Sequence, residues 1–187
     1  MYSSISHTLP IPSGRPQVCL HALITLDGYV ADPTLEHTAE QWQRLDIEQC
    51  SQYMLARSDA LILGRSTYEA IIEHSEWPYL DHQAHVLTSR EGLILNSSFL
   101  KVCHDPLDQL LQHLNQQQVS RVWLMGGHRL VIGALALGVI DELIIHMLPF
   151  AQGQGQSFFD APDLPDFNLL DVQRLNGGVA RMHYQVS

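Results

Sequence analysis

The chain is short of positive charge. Lys and Arg together number ten against twenty Asp and Glu, the formal net charge is −10, and Lys101 is the single lysine. Nucleic acids and anionic membrane surfaces both bind clustered cations, so this composition argues against either kind of partner. Where the pattern does place arginines together, they are correspondingly more informative about a negatively charged ligand.

Cysteines and long apolar runs are also scarce. Cys19, Cys50 and Cys103 are odd in number, widely spaced and form no C-x-x-C pair. We therefore expect free, buried thiols in a reducing, cytoplasmic compartment, and no cysteine nucleophile. The longest apolar run, residues 130–140, is shorter than the roughly 20 residues of a membrane span. Residues 1–16, rich in Ser and Pro without an apolar core, predict a flexible amino-terminal tail and no secretory signal.

Several catalytic signatures are missing. Among the eleven histidines, His82 and His85 lie near Asp81, but no His-Glu-x-x-His and no zinc-type cluster exists, so no metal site is predicted. The G-x-S-x-G elbow of α/β-hydrolases is absent. Neither G-x-G-x-x-G nor the phosphate loop G-x-x-x-x-G-K-[ST] occurs.

What is present is an alternation of strand-like and helix-like segments. Apolar runs predict strands over residues 18–26, 59–63, 85–88, 99–104, 121–125 and 142–148, and 3.6-residue periodicity predicts helices over 38–57, 66–73, 106–117 and 128–137. Two further strand-like runs flank Asn176-Gly177, a hairpin signal. We therefore expect one α/β domain, residues 17–187, with a mixed, mostly parallel central sheet, helices on both faces and a C-terminal antiparallel hairpin.

Arginines and glycines come where predicted strands end. The residues concerned are Gly64, Arg65, Ser66 and Thr67, then Thr88, Ser89 and Arg90, and finally Gly126 and Gly127. Ligands of open α/β sheets bind outside the carboxyl ends of the strands. Guanidinium groups and helix-start amides bind phosphate, and paired glycines allow close approach of the backbone. The pattern therefore predicts a site for a phosphorylated cofactor, in which Arg90 suits the 2′-phosphate of NADP.

A purely structural interpretation of the same residues is open. Ser66 and Glu69 have the spacing of a capping box, which would cap a helix without any ligand. Arg65 and Arg90 would then be solvated, and the glycine pair would form a tight turn.

Acidic residues near the first strand are candidates for the chemistry. Asp27 ends that strand, where a carboxylate can orient a substrate or relay a proton, although Asp-Gly is also a common turn pair. Asp46 and Glu48, on the following helix, are alternative carboxylates for the pocket. The structural interpretation of each is a solvated charge on the helix surface. The residues alone leave this choice open.

Taken together, the motifs resemble the dihydrofolate reductase-like superfamily, most closely the C-terminal reductase domain of riboflavin biosynthesis and its stand-alone relatives. The matching segments are 25–31, 59–69, 86–90, 124–127, 139–143, Pro149 and 153–155. The chain departs from riboflavin-pathway reductases at Met125, where they usually carry a glutamate. It departs from dihydrofolate reductases at Trp42, which lacks their preceding proline.

The resemblance implies an NADPH-dependent oxidoreductase that reduces a small heterocyclic, pterin- or aminopyrimidine-like substrate. It also implies a homodimer, to whose interface the apolar segment 143–150 could contribute. The alternative is a non-catalytic nucleotide-binding or regulatory protein on the same scaffold.

The resemblance also assigns individual residues. Asp27 would be the catalytic carboxylate. The implied cofactor contacts are Val30 and Ala31 at the nicotinamide, Gly64, Arg65, Ser66 and Thr67 at the diphosphate, Thr88, Ser89 and Arg90 at the adenosine phosphate, and Gly126 and Gly127 along the cofactor. A cis peptide between the two glycines, as in dihydrofolate reductases, is one way to make the last contact.

Overall fold

The computed structural model describes residues 12–74, 76–158, 160 and 164–187. Its strands are β1 Gln17–Ile24, β2 Ala60–Gly64, β3 Gln83–Leu87, β4 Leu100–Cys103, β5 Arg121–Gly126, β6 Glu142–Met147, β7 Phe167–Arg174 and β8 Ala180–Val186. Its α-helices are α1 Ala39–Trp42, α2 Ile47–Leu55, α3 Arg65–His74, α4 Leu107–Gln116 and α5 His128–Ala136. The predicted tail, residues 1–16, lies outside the described residues for its first eleven positions.

All eight strands form one sheet in the order β4-β3-β2-β5-β1-β6-β8-β7. The first six run parallel, and β8 pairs antiparallel with both β6 and β7. The predicted mixed, mostly parallel sheet with a C-terminal hairpin is therefore confirmed. Because β6 pairs with β1 and β8, residues 143–146 are buried within the molecule, and Met147 is half-buried.

Helices cover both faces of the sheet, as predicted. Side chains alternate along β1, so that Val18 and Leu20 pack with α4 and α5, whereas Cys19 faces the side of α2 and α3. Helix α4 shows why this works: its leucines at i, i+3, i+4 and i+7, namely Leu107, Leu110, Leu111 and Leu114, are all buried. Burying each such side chain stabilises the fold by about 1.5–3 kcal/mol.

The single helix predicted over residues 38–57 is wrong. A break at residues 43–46 separates α1 from α2, and Asp46 caps α2 by accepting a hydrogen bond from the Gln49 amide at 3.2 Å. Aspartate competes for backbone amides in this way and therefore favours helix starts over helix interiors. The neighbouring carboxylate, Glu48, accepts a hydrogen bond from Gln52 one turn later.

The parallel strands bring six carboxyl ends to one edge of the sheet. Strand β5 returns to pair between β2 and β1, so the strand order reverses there. Such a reversal separates the neighbouring loops and leaves a crevice between them. No helix within the described ranges combines the length and apolarity needed to cross a bilayer.

Candidate functional site

A cleft of about 790 Å³ lies at this edge, where the chain leaves β2, β3, β4 and β5. This carboxyl-edge cleft has the size of a small-molecule or cofactor site, about 300–1,000 Å³. The predicted residues that line it are Gly64, Arg65, Ser66, Thr88, Ser89, Arg90 and Gly127. Three segments that are separate in the sequence therefore share one cavity.

Arg65 is the first residue of α3 and is held by that helix. Its Nε donates to Glu69 Oε1 at 2.6 Å, an i,i+4 pair on the wall of the cleft. The capping box predicted for Ser66 and Glu69 is thus wrong, because α3 already begins at Arg65 and Glu69 binds that arginine instead. Pairing through Nε leaves the two terminal nitrogens of the guanidinium for a ligand.

Two further guanidinium groups line the cleft, those of Arg90 and Arg129. Both residues are exposed, and neither forms an ion pair with any described residue. Against the three arginines the cleft carries two carboxylates, Glu69 and Asp105. In a chain with a net charge of −10, the cleft is therefore a local concentration of positive charge.

The glycine pair marks the point where β2 and β5 meet. Gly126 and Gly127 have φ of +121° and +100°, a region that side chains disfavour. A Cβ on Gly127 would lie 3.4 Å from both the Gly64 Cα and the Thr67 Oγ1. No cis peptide occurs in the described part of the chain, so the implied cis Gly126–Gly127 bond is wrong.

Thr88 organises the wall formed by the ends of β3 and β4. Its Oγ1 accepts a hydrogen bond from the Arg90 amide at 3.1 Å, which closes the turn of residues 88–90. Its carbonyl accepts a hydrogen bond from His104 Nδ1 at 2.7 Å. The loop after β3 is therefore tied to the loop after β4.

Sequence reasoning missed part of the lining. The missed polar residues are Glu69, His104, Asp105, His128 and Arg129. A signal existed for most of them: two follow the short strand β4 and two follow the glycine pair, so the strand-end rule applied there as well.

Asp27 lies at the same edge of the sheet but outside the cleft lining. It follows β1, which is separated from β2 by β5. Its carboxylate accepts hydrogen bonds from the Thr25 hydroxyl and from the amides of Gln152 and Gly153, the last at 2.7 Å. The Thr25 hydrogen bond, helped by the Gly153 and Gln152 amides, lowers the pKa of Asp27 below its usual value. Asp27 is therefore an ionised acceptor that fixes the loop after β6.

Val30 and Ala31 are held beside Asp27 and are likewise absent from the cleft lining. Val30 donates its amide to the Gln156 carbonyl at 2.8 Å, and Ala31 donates to the Leu23 carbonyl at 2.9 Å. The Val30 side chain is 39% exposed. The structure thus places these two residues further along the edge, on the far side of β5 from Arg65.

Asp46 and Glu48, the alternative carboxylates, are exposed and bond to their own helix. Within the described ranges, no group of three or more His, Cys, Asp or Glu side chains is arranged to hold a metal ion.

The parallel sheet with a reversal at β5, its flanking helices and the terminal hairpin form a dihydrofolate reductase-like fold. More specifically, the chain belongs to the family of RibD C-terminal domains, whose family model matches residues 16–180.

Individual proteins are similar to this chain over most of its length. The uncharacterised protein YwjB of Bacillus subtilis is 28% identical over 143 residues, which cover 75% of this chain and 80% of YwjB. RibD of Acinetobacter baumannii superimposes with a TM-score of 0.71 at 24% identity, covering 94% of this chain and 59% of that one. Dihydrofolate reductase of Enterococcus faecalis, solved with NADP(H), has a TM-score of 0.63 at 13% identity, covering 95% and 99%.

Proposed function

We propose that the protein is an oxidoreductase that uses NADPH to reduce a small heterocyclic, pterin- or aminopyrimidine-like substrate. The observation that carries this proposal is the convergence of Arg65, Arg90 and Arg129 on one cleft of an acidic chain. Guanidinium groups bind phosphates through charge-assisted, often bidentate hydrogen bonds. A dinucleotide with a diphosphate and a further phosphate is a ligand that would use several of them.

The residues present fit such a cofactor. Arg65, Ser66 and the first amides of α3 would hold the diphosphate at a helix start, with Thr67 behind them. Thr88, Ser89 and Arg90 would hold the 2′-phosphate. Gly64, Gly126 and Gly127 leave the meeting point of β2 and β5 free of side chains, so a ligand can approach the backbone there. When bound, NADPH supplies the hydride.

Asp27 would orient the substrate in this proposal. Because its pKa is lowered, the carboxylate is ionised at neutral pH and accepts hydrogen bonds, for example from a substrate N–H, instead of donating a proton. The proton that accompanies the hydride would then come from water. Val30 and Ala31, fixed beside Asp27, would flank the nicotinamide.

One observation favours the alternative of a non-catalytic nucleotide-binding protein. Met125, where riboflavin-pathway reductases usually carry a glutamate, adds no acidic group beside the glycine pair and packs into the apolar core under α2 and α3. The alternative predicts the same dinucleotide binding without turnover.

Nucleotide titration tests the proposal. We expect NADPH to bind more tightly than NADH, and we expect Arg90→Ala to remove most of that preference while NADH affinity changes little. Equal affinity of the wild-type protein for the two nucleotides would contradict the 2′-phosphate contact. Turnover assays with dihydrofolate and with aminopyrimidine ribosides then separate the reductase from the non-catalytic alternative, which binds NADPH and oxidises none of it.

A further inference from the structure

His104 lines the carboxyl-edge cleft and has one of its two ring nitrogens already committed. Nδ1 lies 2.7 Å from the Thr88 carbonyl oxygen. Since a carbonyl only accepts hydrogen bonds, Nδ1 must carry a proton whether the ring is neutral or charged. The tautomer is therefore fixed, and Nε2 is the nitrogen that gains or loses a proton. Nε2 has no hydrogen-bond partner within the described residues.

The same threonine links His104 to Arg90. The Thr88 carbonyl binds the histidine, and the Thr88 hydroxyl binds the Arg90 amide at 3.1 Å. Strands β3 and β4 are adjacent, with Leu87 paired to Cys103 immediately before the two loops. Neighbouring strands lie about 4.8 Å apart, so His104 and Arg90 flank the same end of the cleft.

We propose that His104 is a proton-dependent specificity residue for the adenosine phosphate of NADPH, an inference that rests on the function proposed above. A protonated His104 donates Nε2–H to the phosphate and adds a second positive charge beside Arg90. A neutral His104 presents the Nε2 lone pair, which faces phosphate oxygens without a proton between them. Histidine side chains change charge between about pH 5 and 8, so the preference for NADPH over NADH falls as the pH rises.

The cleft that contains His104 carries charges of both signs. The other charged or titratable groups of the cleft are Arg65 and Glu69 on α3, Arg90 after β3, Asp105 after β4, and His128 and Arg129 at the start of α5. Asp105 contributes negative charge to the cleft, and the arginines contribute positive charge. A bound phosphate dianion adds negative charge that a protonated His104 can match, whereas NADH brings no such charge to the adenosine end.

The experiment compares the wild type with His104→Asn. The asparagine amide keeps a donor where Nδ1 binds the Thr88 carbonyl, but it has no nitrogen that titrates. Dissociation constants for NADPH and NADH are measured from about pH 6 to about pH 8. We expect the wild-type preference for NADPH to fall about tenfold more than that of the variant, the effect of losing one charge-assisted hydrogen bond. Titration of the phosphate itself is common to both proteins and drops out of the comparison.

His113→Asn is the matched control, because it removes an exposed histidine of α4 that lies outside the cleft lining. This control should keep the wild-type pH profile. Parallel profiles for wild type and His104→Asn would overturn the inference and leave NADPH binding intact. If neither NADPH nor NADH bound at any pH, both the proposed function and this inference would be overturned.

An NMR titration of the wild-type protein gives a second measurement that needs no variant. Saturation with NADPH should raise the midpoint at which the His104 ring signals titrate, whereas NADH should leave that midpoint unchanged. An equal shift with both nucleotides would contradict recognition of the phosphate by His104.

Discussion

At the amino-terminal edge of the sheet, Arg57 and Arg121 face a carboxylate, whereas at the carboxyl edge Arg90 and Arg129 face a cleft. The amino-edge cluster consists of Gln17, Arg57, Arg121, Glu142 and His183, with the fully buried Glu142 at its centre. The carboxyl-edge cleft has no comparable central acid. Arginine side chains are therefore found in two different environments at the two edges of the sheet.

In the amino-edge cluster the positive charges are neutralised internally. Arg121 and Gln17 donate to Glu142 Oε1 at 2.8 and 2.7 Å, and His183 lies 2.9 Å from Oε2. Burial alone would raise the pKa of Glu142, but the His183 hydrogen bond and the charges of Arg121 and Arg57 outweigh it and lower the pKa. Both carboxylate oxygens of Glu142 are occupied in this way, so the positive charges of this cluster are balanced by a residue of the chain itself.

In the cleft the charges are left open. Arg65 is paired through a single nitrogen with Glu69, which is itself half exposed, and Arg90 and Arg129 are unpaired within the described residues. The difference teaches that the position of the carboxylates, more than that of the arginines, decides which edge of this sheet keeps unpaired positive charge.

The largest effect should come from removing the acid of the amino-edge cluster. Glu142→Ala leaves Arg57 and Arg121 without a counter-charge, and breaking a buried ion pair destabilises a protein by about 3–5 kcal/mol. Urea unfolding at neutral pH measures the loss. Glu40→Ala is the control: its ion pair with Arg44, at 3.8 Å, is exposed and contributes about 0–0.5 kcal/mol. A loss below about 1 kcal/mol for Glu142→Ala would show that the cluster does not stabilise the fold.

At the open edge, Arg65→Ala should affect binding and leave stability nearly unchanged. Loss of a charge-assisted hydrogen bond to phosphate weakens NADPH binding by about 1.5–3 kcal/mol. Fluorescence titration gives the affinity and thermal unfolding gives the stability. Arg44→Ala removes an arginine from a similar i,i+4 pair outside the cleft and should bind NADPH as the wild type does. Unchanged affinity of Arg65→Ala would remove that arginine from the site.

A pair of buried histidines makes the stability of the protein depend on pH. His21 Nε2 and His146 Nδ1 are 2.7 Å apart and buried, and burial, with a smaller contribution from Arg181, lowers the pKa of His146 to about 4. The unfolded chain takes up this proton near pH 6.5, so stability is complete above that pH and falls as the pH drops towards 4. The loss for His146 at about pH 5 is about 2 kcal/mol.

Urea unfolding of the wild type and of His146→Gln, at neutral pH and at about pH 5, measures this contribution to the free energy of unfolding. The variant should lose less stability on acidification than the wild type does. Identical acid sensitivity of wild type and His146→Gln would contradict the contribution of this buried histidine.

The smallest and most local effect is expected at Asp27. Asp27→Asn removes an ionised acceptor from the amides of Gln152 and Gly153. Hydrogen exchange of these two amides should accelerate while that of β1 stays slow. Acidification of the wild type should weaken the same contacts, because the pKa of Asp27 is lowered in the folded state. The stabilisation by the ionised carboxylate is complete above the ordinary pKa of aspartate and is lost as the pH falls through the folded-state pKa.

Asp32→Asn is the matched control for this measurement. Asp32 accepts hydrogen bonds from Thr34 in its own turn, so its replacement should leave the exchange of Gln152 and Gly153 unchanged. Equal exchange in wild type and Asp27→Asn would show that the loop does not depend on the carboxylate.

Local sequence signals predicted much of the architecture. The strands end where polar residues replace apolar runs, and the hairpin turns at Asn176-Gly177, where Gly177 has φ +68°. The glycine pair at the end of β5 likewise has backbone torsions that only glycine adopts readily. These features are predictable because each depends on a few consecutive residues and their backbone preferences.

Competition for one hydrogen-bonding group was not predictable. Asp46 accepts a hydrogen bond from the Gln49 amide and starts a second helix where periodicity predicted one continuous helix. Arg65 binds the Glu69 carboxylate that the spacing had assigned to a capping box with Ser66. In each case two plausible partners existed for one group, and the sequence pattern did not rank them. The hydrogen bond between His104 and Thr88 was unpredictable for a related reason, because the pairing of β3 with β4 brings the two residues together.

The sequence by itself determined the acidic balance, the order of strands and helices, and the presence of arginines and glycines at strand ends, since these follow from composition and short-range backbone preferences. Tertiary structure alone decided which charges remain open. Insertion of β5 between β2 and β1 brought the separate strand ends into one cleft, and pairing of β1, β6 and β8 brought Glu142 to partners as distant as Gln17, 125 positions away. Neutralisation is a non-local event, because a carboxylate cancels a guanidinium only where the fold places them in contact.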